Sequence, residues 1–133
     1  MQDYAAVGLT LGRHPLALLR PALRRRRLST AAELHGYRHG QLARTTGLVT
    51  HRQRPETAAG VVFITIEDET GHTNVVVWNS VAEAQRIDML NAHLLTVYGH
   101  WETDGKVHHL IAGRLRDDSR LLGELETNSR DFR

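Results

Sequence analysis

Over residues 41–116 the apolar residues recur with a strand period in five segments, and only one gap between them is long enough to hold a helix. Gly47-Leu48-Val49-Thr50 lies in the first segment, and Arg52 to Gly60, with Pro55 and Gly60, reads as the loop that follows. Residues 61–67 form a second strand, closed by the tight turn Asp68-Glu69-Thr70-Gly71. Residues 73–78 form a third. Ser80 is placed to cap a helix over residues 81–90, in which Val81, Ala84, Ile87 and Leu90 recur every three positions. Residues 94–101 and 107–115 are two more strands, joined by a hairpin with Asp104-Gly105 at the bend.

Five strands with a single helix between the third and the fourth is the order of the oligonucleotide/oligosaccharide-binding (OB) barrel, so the chain is expected to be mainly β. A βαβ fold needs helices after several strands, and the gaps here are too short for them. Residues 1–40 are a separate Arg-rich helical segment. Leu16, Leu19 and Leu23 share one helical face after His14-Pro15, and Pro21 is expected to kink or restart that helix. Thr30 and Glu33 have capping-box spacing ahead of a second short helix that Gly36 would end. Residues 117–133 read as a short helix bearing Leu121, Leu122 and Leu125, then a polar tail.

Charge is distributed unevenly. Residues 1–54 hold ten arginines against Asp3 and Glu33, whereas residues 55–133 hold seven bases against thirteen acids, which leaves the formal net charge at +2. A basic front half offers a polyanion a place to sit, because local potential steers binding more than net charge does. The alternatives are a solvated helix face or a patch docking on an acidic partner. With no cysteine there is no disulfide, thiolate metal site or cysteine nucleophile. No long apolar run marks a membrane span, and the start carries no export signal, so a cytoplasmic location is expected.

Catalytic constellations are missing from the pattern. His108 and His109 are strand neighbours facing opposite sides, so they cannot share one metal, and the other histidines are dispersed. Glu67, Asp68 and Glu69 fall at a hairpin bend, where acids satisfy local backbone donors and stay solvated. Lys106, the only lysine, has no supporting neighbour. The expectation is no catalytic residue, no metal and no cofactor in this chain.

Binding chemistry fits the residues better. If Val62, Ile64 and Ile66 fill the barrel, Phe63 and Thr65 face outward on the second strand, and an exposed ring there is a platform for an unpaired base. Alternatively Phe63 packs beneath a helix or the N-terminal segment. Arg52 and Arg54 fall in the loop bordering that face, where guanidinium groups grip phosphates. The run Arg24, Arg25, Arg26 and Arg27 is either a phosphate-contacting tract or the solvated end of a helix. Trp78 and Trp101 end strands and serve as stacking groups or barrel plugs, at least one of them in the core.

Gly8-Leu9-Thr10-Leu11-Gly12-Arg13-His14-Pro15-Leu16 resembles the G-x-x-x-x-x-H-P segment that precedes the C-terminal region of bacterial C-family DNA polymerase III α subunits. Gly47-Leu48-Val49 and Val62-Phe63-Ile64-Thr65-Ile66-Glu67-Asp68-Glu69-Thr70-Gly71 are similar to the barrel those polymerases share with anticodon-binding domains of class II aminoacyl-tRNA synthetases. Val75-Val76-Val77-Trp78, Leu121-Leu122-Gly123 and the ending Ser129-Arg130-Asp131-Phe132-Arg133 resemble the error-prone, translesion branch. The resemblance covers nearly the whole chain but none of the upstream palm that carries the catalytic aspartates. It implies an accessory module that holds single-stranded DNA near the polymerase in DNA repair and replication. Phe63 then matches the stacking position, and Arg52 and Arg54 the basic loop. Two rivals stand beside it. One is a protein-interaction module whose Leu-rich tail with Phe132 docks a companion polymerase subunit. The other is an RNA- or tRNA-binding barrel.

Overall fold

In a computed structural model the chain is described over residues 13–56 and 59–131, with side chains to residue 125. Five strands, β1 (Leu42–Gln53), β2 (Val62–Asp68), β3 (Gly71–Val77), β4 (Leu94–Thr103) and β5 (His108–Asp117), close a barrel in the order β1-β2-β3-β5-β4. All pairs are antiparallel except β3 with β5, the one parallel contact that closure of this order requires. Alternation sorts the side chains: Val62, Ile64, Ile66, Val75, Val77, Leu95, Val97, Trp101, Leu110 and Leu115 fill the interior. This is the mainly β, five-stranded OB barrel expected from the order of the elements.

Gly99 sits at the register shift in β4, where the two chains come closer than any side chain allows. A Cβ there would stand 1.8 Å from the Ile111 carbonyl oxygen.

Helices stop both mouths of the barrel. Helices α1 (Pro15–Arg25) and α2 (Ala31–Leu34) precede the barrel, and two short helices, α3 (Asn79–Ala84) and α4 (Arg86–Asn91), lie between β3 and β4. They bury Ala82 and Met89 in the barrel core. The continuous helix expected over residues 81–90 is therefore broken at Gln85, whose φ of −122° and ψ of 36° lie outside helical values. That break resets the phase: Ile87 and Leu90 face solvent, and Ala82 and Met89 are the anchors. The cap expected from Ser80 is also absent, since Trp78 occupies the cap position without a side-chain bond.

At the opposite mouth α2 seats Leu34 in the same core. Its capping box is present, Glu33 N donating to Thr30 Oγ1 at 3.1 Å and Thr30 N to Glu33 Oε1 at 2.8 Å. Arg24 pairs with the same carboxylate at 2.7 Å, and the two sets of bonds hold the Glu33 carboxyl down at about 2. A folded-state value below the ordinary 4.5 means its contribution is present above pH 4.5 and is lost as pH falls towards 2. Thr30→Ala is expected to cost about 1 kcal/mol, read as a lower urea midpoint at unchanged m-value.

Helix α1 runs on through Pro21, so the chain does not restart its helix there. One missing backbone bond is offset by Leu16, Leu19 and Leu23, which are sealed in a second cluster with Leu28, Leu94 and Leu122. Leu122 comes from the C-terminal helix α5 (Arg120–Asp131), and Leu121 and Leu125 pack beside it. The leucine stripe read as a docking tail is thus spent on α1 within this chain. Phe132 lies outside the described residues.

Buried Asp118 ties this layer to the barrel. It accepts bonds from Arg26 Nη2 at 3.1 Å and from Thr96 Oγ1, and Arg116 Nε lies 3.3 Å away. Asp68 anchors the other side: its carboxylate takes the backbone N–H of Thr70 and of Ala31, both at 2.8 Å. Solvated turn acids were expected here, but Asp68 is only 4% exposed. The N-terminal segment needs its charge: Arg20 lies 3.6 Å from Asp68 and grips both oxygens of Glu69 at 2.7 Å. Burial raises the Glu69 pKa, and the Arg20 bonds together with its own backbone N–H and nearby His14 outweigh this, leaving the carboxyl below its ordinary value.

Candidate nucleic-acid interface

Residues paired across neighbouring strands point to the same face, so the register identifies the open side of the barrel. Gln53 pairs with Phe63 and Phe63 with Val76, giving one outward row; His51, Thr65 and Asn74 give the next. Phe63 is 39% exposed, Thr65 partly so, and His51, Gln53 and Asn74 are open to solvent. Beside the ring on the same face, Val76 packs with Val61 and Ile111 in a small outer cluster. Trp78, 54% exposed, follows Val77, the partner of Val62, and so stands at the Phe63 end of the sheet.

The two loop arginines are not equivalent, although both border the groove beside the end of β1. Arg52 belongs to β1, not to the loop, and pairs with Ile64, whose side chain fills the barrel. It therefore projects to the side away from Phe63. Its guanidinium donates to the Met89 carbonyl at 2.8 Å and to the Ala92 carbonyl, fastening the end of α4. Burial there lowers its pKa, with Asp117 opposing the shift. Arg54 lies past the end of β1, exposed.

The run from Arg24 to Arg27 is divided by the same logic. Arg24 is paired with Glu33, and Arg26 reaches Asp118 and the Tyr98 hydroxyl, at 3.4 Å for the latter. Arg25 and Arg27 point to solvent, Arg27 with a left-handed φ of 61° where the chain turns from α1 toward β1. None of the four lies on the row containing Phe63.

A groove and a pocket flank the open face. Near the Phe63 end a groove of about 310 Å³ runs between the end of β1 and α4, with Arg54 and Arg86 among its walls. Near the other mouth a pocket of about 240 Å³ lies between β3 and the β4–β5 hairpin, walled by His72, Asn74, Lys106 and His108. At its base the Trp101 ring, 1% exposed, stacks on His108 with centroids 5.8 Å apart. Trp101 is thus a barrel plug and Trp78 the exposed indole. No cluster of metal-ligating side chains occurs among the described residues.

His51, Gln53 and Asn74 were missed in the sequence. The register shift between Val49 and His51 hid the first two: strict alternation carried on from Val49, the partner of inward-facing Ile66, would have turned His51 and Gln53 into the barrel. Arg86 was hidden by the misread phase of the helix.

A closed five-stranded barrel whose open face carries a ring, amides and hydroxyls defines the class. The chain belongs to the tRNA_anti-codon family, OB-fold nucleic acid binding domain, which matches residues 43–118. It is also 62% identical over 130 residues to an error-prone DNA polymerase of Alkalilimnicola ehrlichii and 55% identical over 130 residues to one of Ralstonia nicotianae. Both matches cover 98% of this chain but only 13% and 12% of those polymerases, so the chain spans about an eighth of their length. Among solved structures, asparaginyl-tRNA synthetase from Pyrococcus horikoshii superposes with a TM-score of 0.56 at 20% identity, covering 67% of this chain and 22% of that one. The hypothetical protein ygiW from E. coli gives 0.51 at 12% identity, covering 67% and 87%. At these identities the likeness is one of fold. No described helix is long and apolar enough to cross a membrane.

Proposed function

We propose that this chain is the single-stranded-DNA-holding module of an error-prone polymerase, with no chemical step of its own. The observation that carries the reading is the outward row containing Phe63, a half-exposed ring flanked by Val76 on one side and Gln53 on the other. An unpaired base stacks on that ring. Thr65, Asn74 and His51, one row along, are placed to hydrogen-bond base edges, and Arg54 to meet a phosphate. A duplex cannot present an unstacked base to such a platform. Stacking accepts every base, so little sequence preference is expected. The kinship with error-prone polymerases supports DNA as the strand, template handling as the task, and a cytoplasmic location beside the replication and repair machinery.

Fluorescence anisotropy with a labelled oligothymidylate at two salt concentrations tests this. Affinity is expected to fall with salt, with a slope of log K against log salt of about −0.7 for each phosphate neutralised. Undetectable binding at low salt, or binding indifferent to salt, contradicts the reading. The family's anticodon-binding name favours RNA as the second reading. An unlabelled RNA competitor of equal length decides between them: displacement better than by DNA replaces the template reading.

A further inference from the structure

The groove beside α4 gathers three guanidinium groups, of which only Arg52 feels a nearby carboxylate, that of Asp117. Arg52, Arg54 and Arg86 converge on it, and no acidic side chain among the described residues lines it. Arg52 is committed to the Met89 and Ala92 carbonyls, which are neutral, so its charge still reaches the groove. Arg54 and Arg86 are exposed and form no ion pair among the described residues. Three like charges around one concavity repel one another until an anion enters.

The floor is apolar. Val62 and Met89 form its buried part, and Leu90, 49% exposed, leaves a greasy edge at the rim. A free inorganic anion has no use for that edge, whereas a nucleotide, with phosphate and sugar together, matches both halves. The groove is also continuous with the open face: Gln53 lines it and pairs directly with Phe63. At the far end of the sheet the face carries Glu67 opposite His72, while Glu69 is neutralised by Arg20, so a phosphate backbone is favoured toward α4 over the Glu67 end.

We propose that this groove holds the nucleotide adjacent to the one stacked on Phe63, its phosphate between Arg54 and Arg86 and its sugar against Leu90. The proposal rests on the single-strand reading above and adds to it the route by which the strand leaves the sheet. Arg86, contributed by the helix and not by the barrel, becomes a phosphate-binding residue.

The test uses the full chain and a labelled ten-residue oligothymidylate, by anisotropy across a salt series. Arg86→Gln is expected to weaken binding roughly 5-fold at low salt and to flatten the salt slope by less than the ~0.7 of a whole phosphate, because Arg54 still faces it. Arg54→Gln with Arg86→Gln removes both cations and is expected to flatten the slope by about 0.7 in all, the loss of one phosphate. Arg114→Gln is the control, because Arg114 lies over the Tyr98 ring on another part of the barrel, 5.7 Å from its centroid. Its removal lowers net charge equally but should leave the slope unchanged. Both groove arginines are exposed, so the melting temperatures of their variants should match the parent. If Phe63→Ala weakens binding while Arg86→Gln does not, the groove assignment is overturned and the single-strand reading stands. Equal losses from Arg114→Gln and Arg86→Gln overturn it as well. If the parent chain does not bind the oligonucleotide at all, both fall together.

Discussion

Replacing Phe63 by alanine is expected to weaken single-stranded DNA binding by about 1–3 kcal/mol, a factor of roughly 5 to 150, and to lower fold stability by about 1–2 kcal/mol. Both effects follow from where the ring sits. At 39% exposure part of the ring is covered in the folded chain and part is free, and a base stacked on the free part loses a broad apolar contact when the ring is removed. The partners Gln53 and Val76 stay in place when the ring is removed, because backbone pairing sets the register. Phe63→Tyr keeps a stackable face and should retain most of the affinity. The salt slope should be the same in the parent and in Phe63→Ala, since no phosphate contact is lost. Matched affinity between parent and Phe63→Ala would remove the platform from the mechanism.

Asp118→Ala is expected to cost about 3–5 kcal/mol of unfolding free energy, the largest stability effect of any single change proposed for this chain. The carboxylate is fully buried and serves three elements at once: Arg26 at the end of α1, Thr96 on β4 and Arg116 on β5. Removing it leaves a partly buried guanidinium facing the Tyr98 hydroxyl alone. Converting Arg26 and Asp118 together to apolar residues leaves no isolated charge and should cost less than the two single changes added. Urea denaturation of the four proteins measures this coupling. Additive losses would mean that Arg26 and Asp118 do not act as a pair, and would reopen the possibility that Arg26 is available to a phosphate.

The barrel was legible in the sequence because its information is local. Val62, Ile64 and Ile66 alternate with Phe63, Thr65 and Glu67, and period two alone decides which set faces inward. The Asp104-Gly105 bend declared its hairpin, and Asp104 Oδ1 accepts the backbone N–H of Lys106 and Val107 there. Failures came where one residue changed the phase or where a partner was distant in sequence. Gln85 breaks the helix and rotates Ile87 and Leu90 outward, which no repeat of three could reveal. Arg52 looked like a loop cation. Its true partners, the Met89 and Ala92 carbonyls, lie 37 and 40 residues away. The same applies to Arg24 and Arg26, whose carboxylates come from α2 and from beyond β5. A charge run shows how much positive charge is present but not which of its members are already spoken for. Subtracting Arg24, Arg26 and Arg52 leaves Arg54 and Arg86 as the cations beside the ring, a pairing that only the closed barrel brings about.

The most direct test of this assignment is a map of backbone amide shifts in a ¹H–¹⁵N spectrum as a short oligothymidylate is added. Shifts concentrated at His51, Gln53, Phe63, Thr65 and Asn74, extending to Arg86, are the expected result. Shifts confined to α1 and α5, with the Phe63 row unmoved, would contradict it.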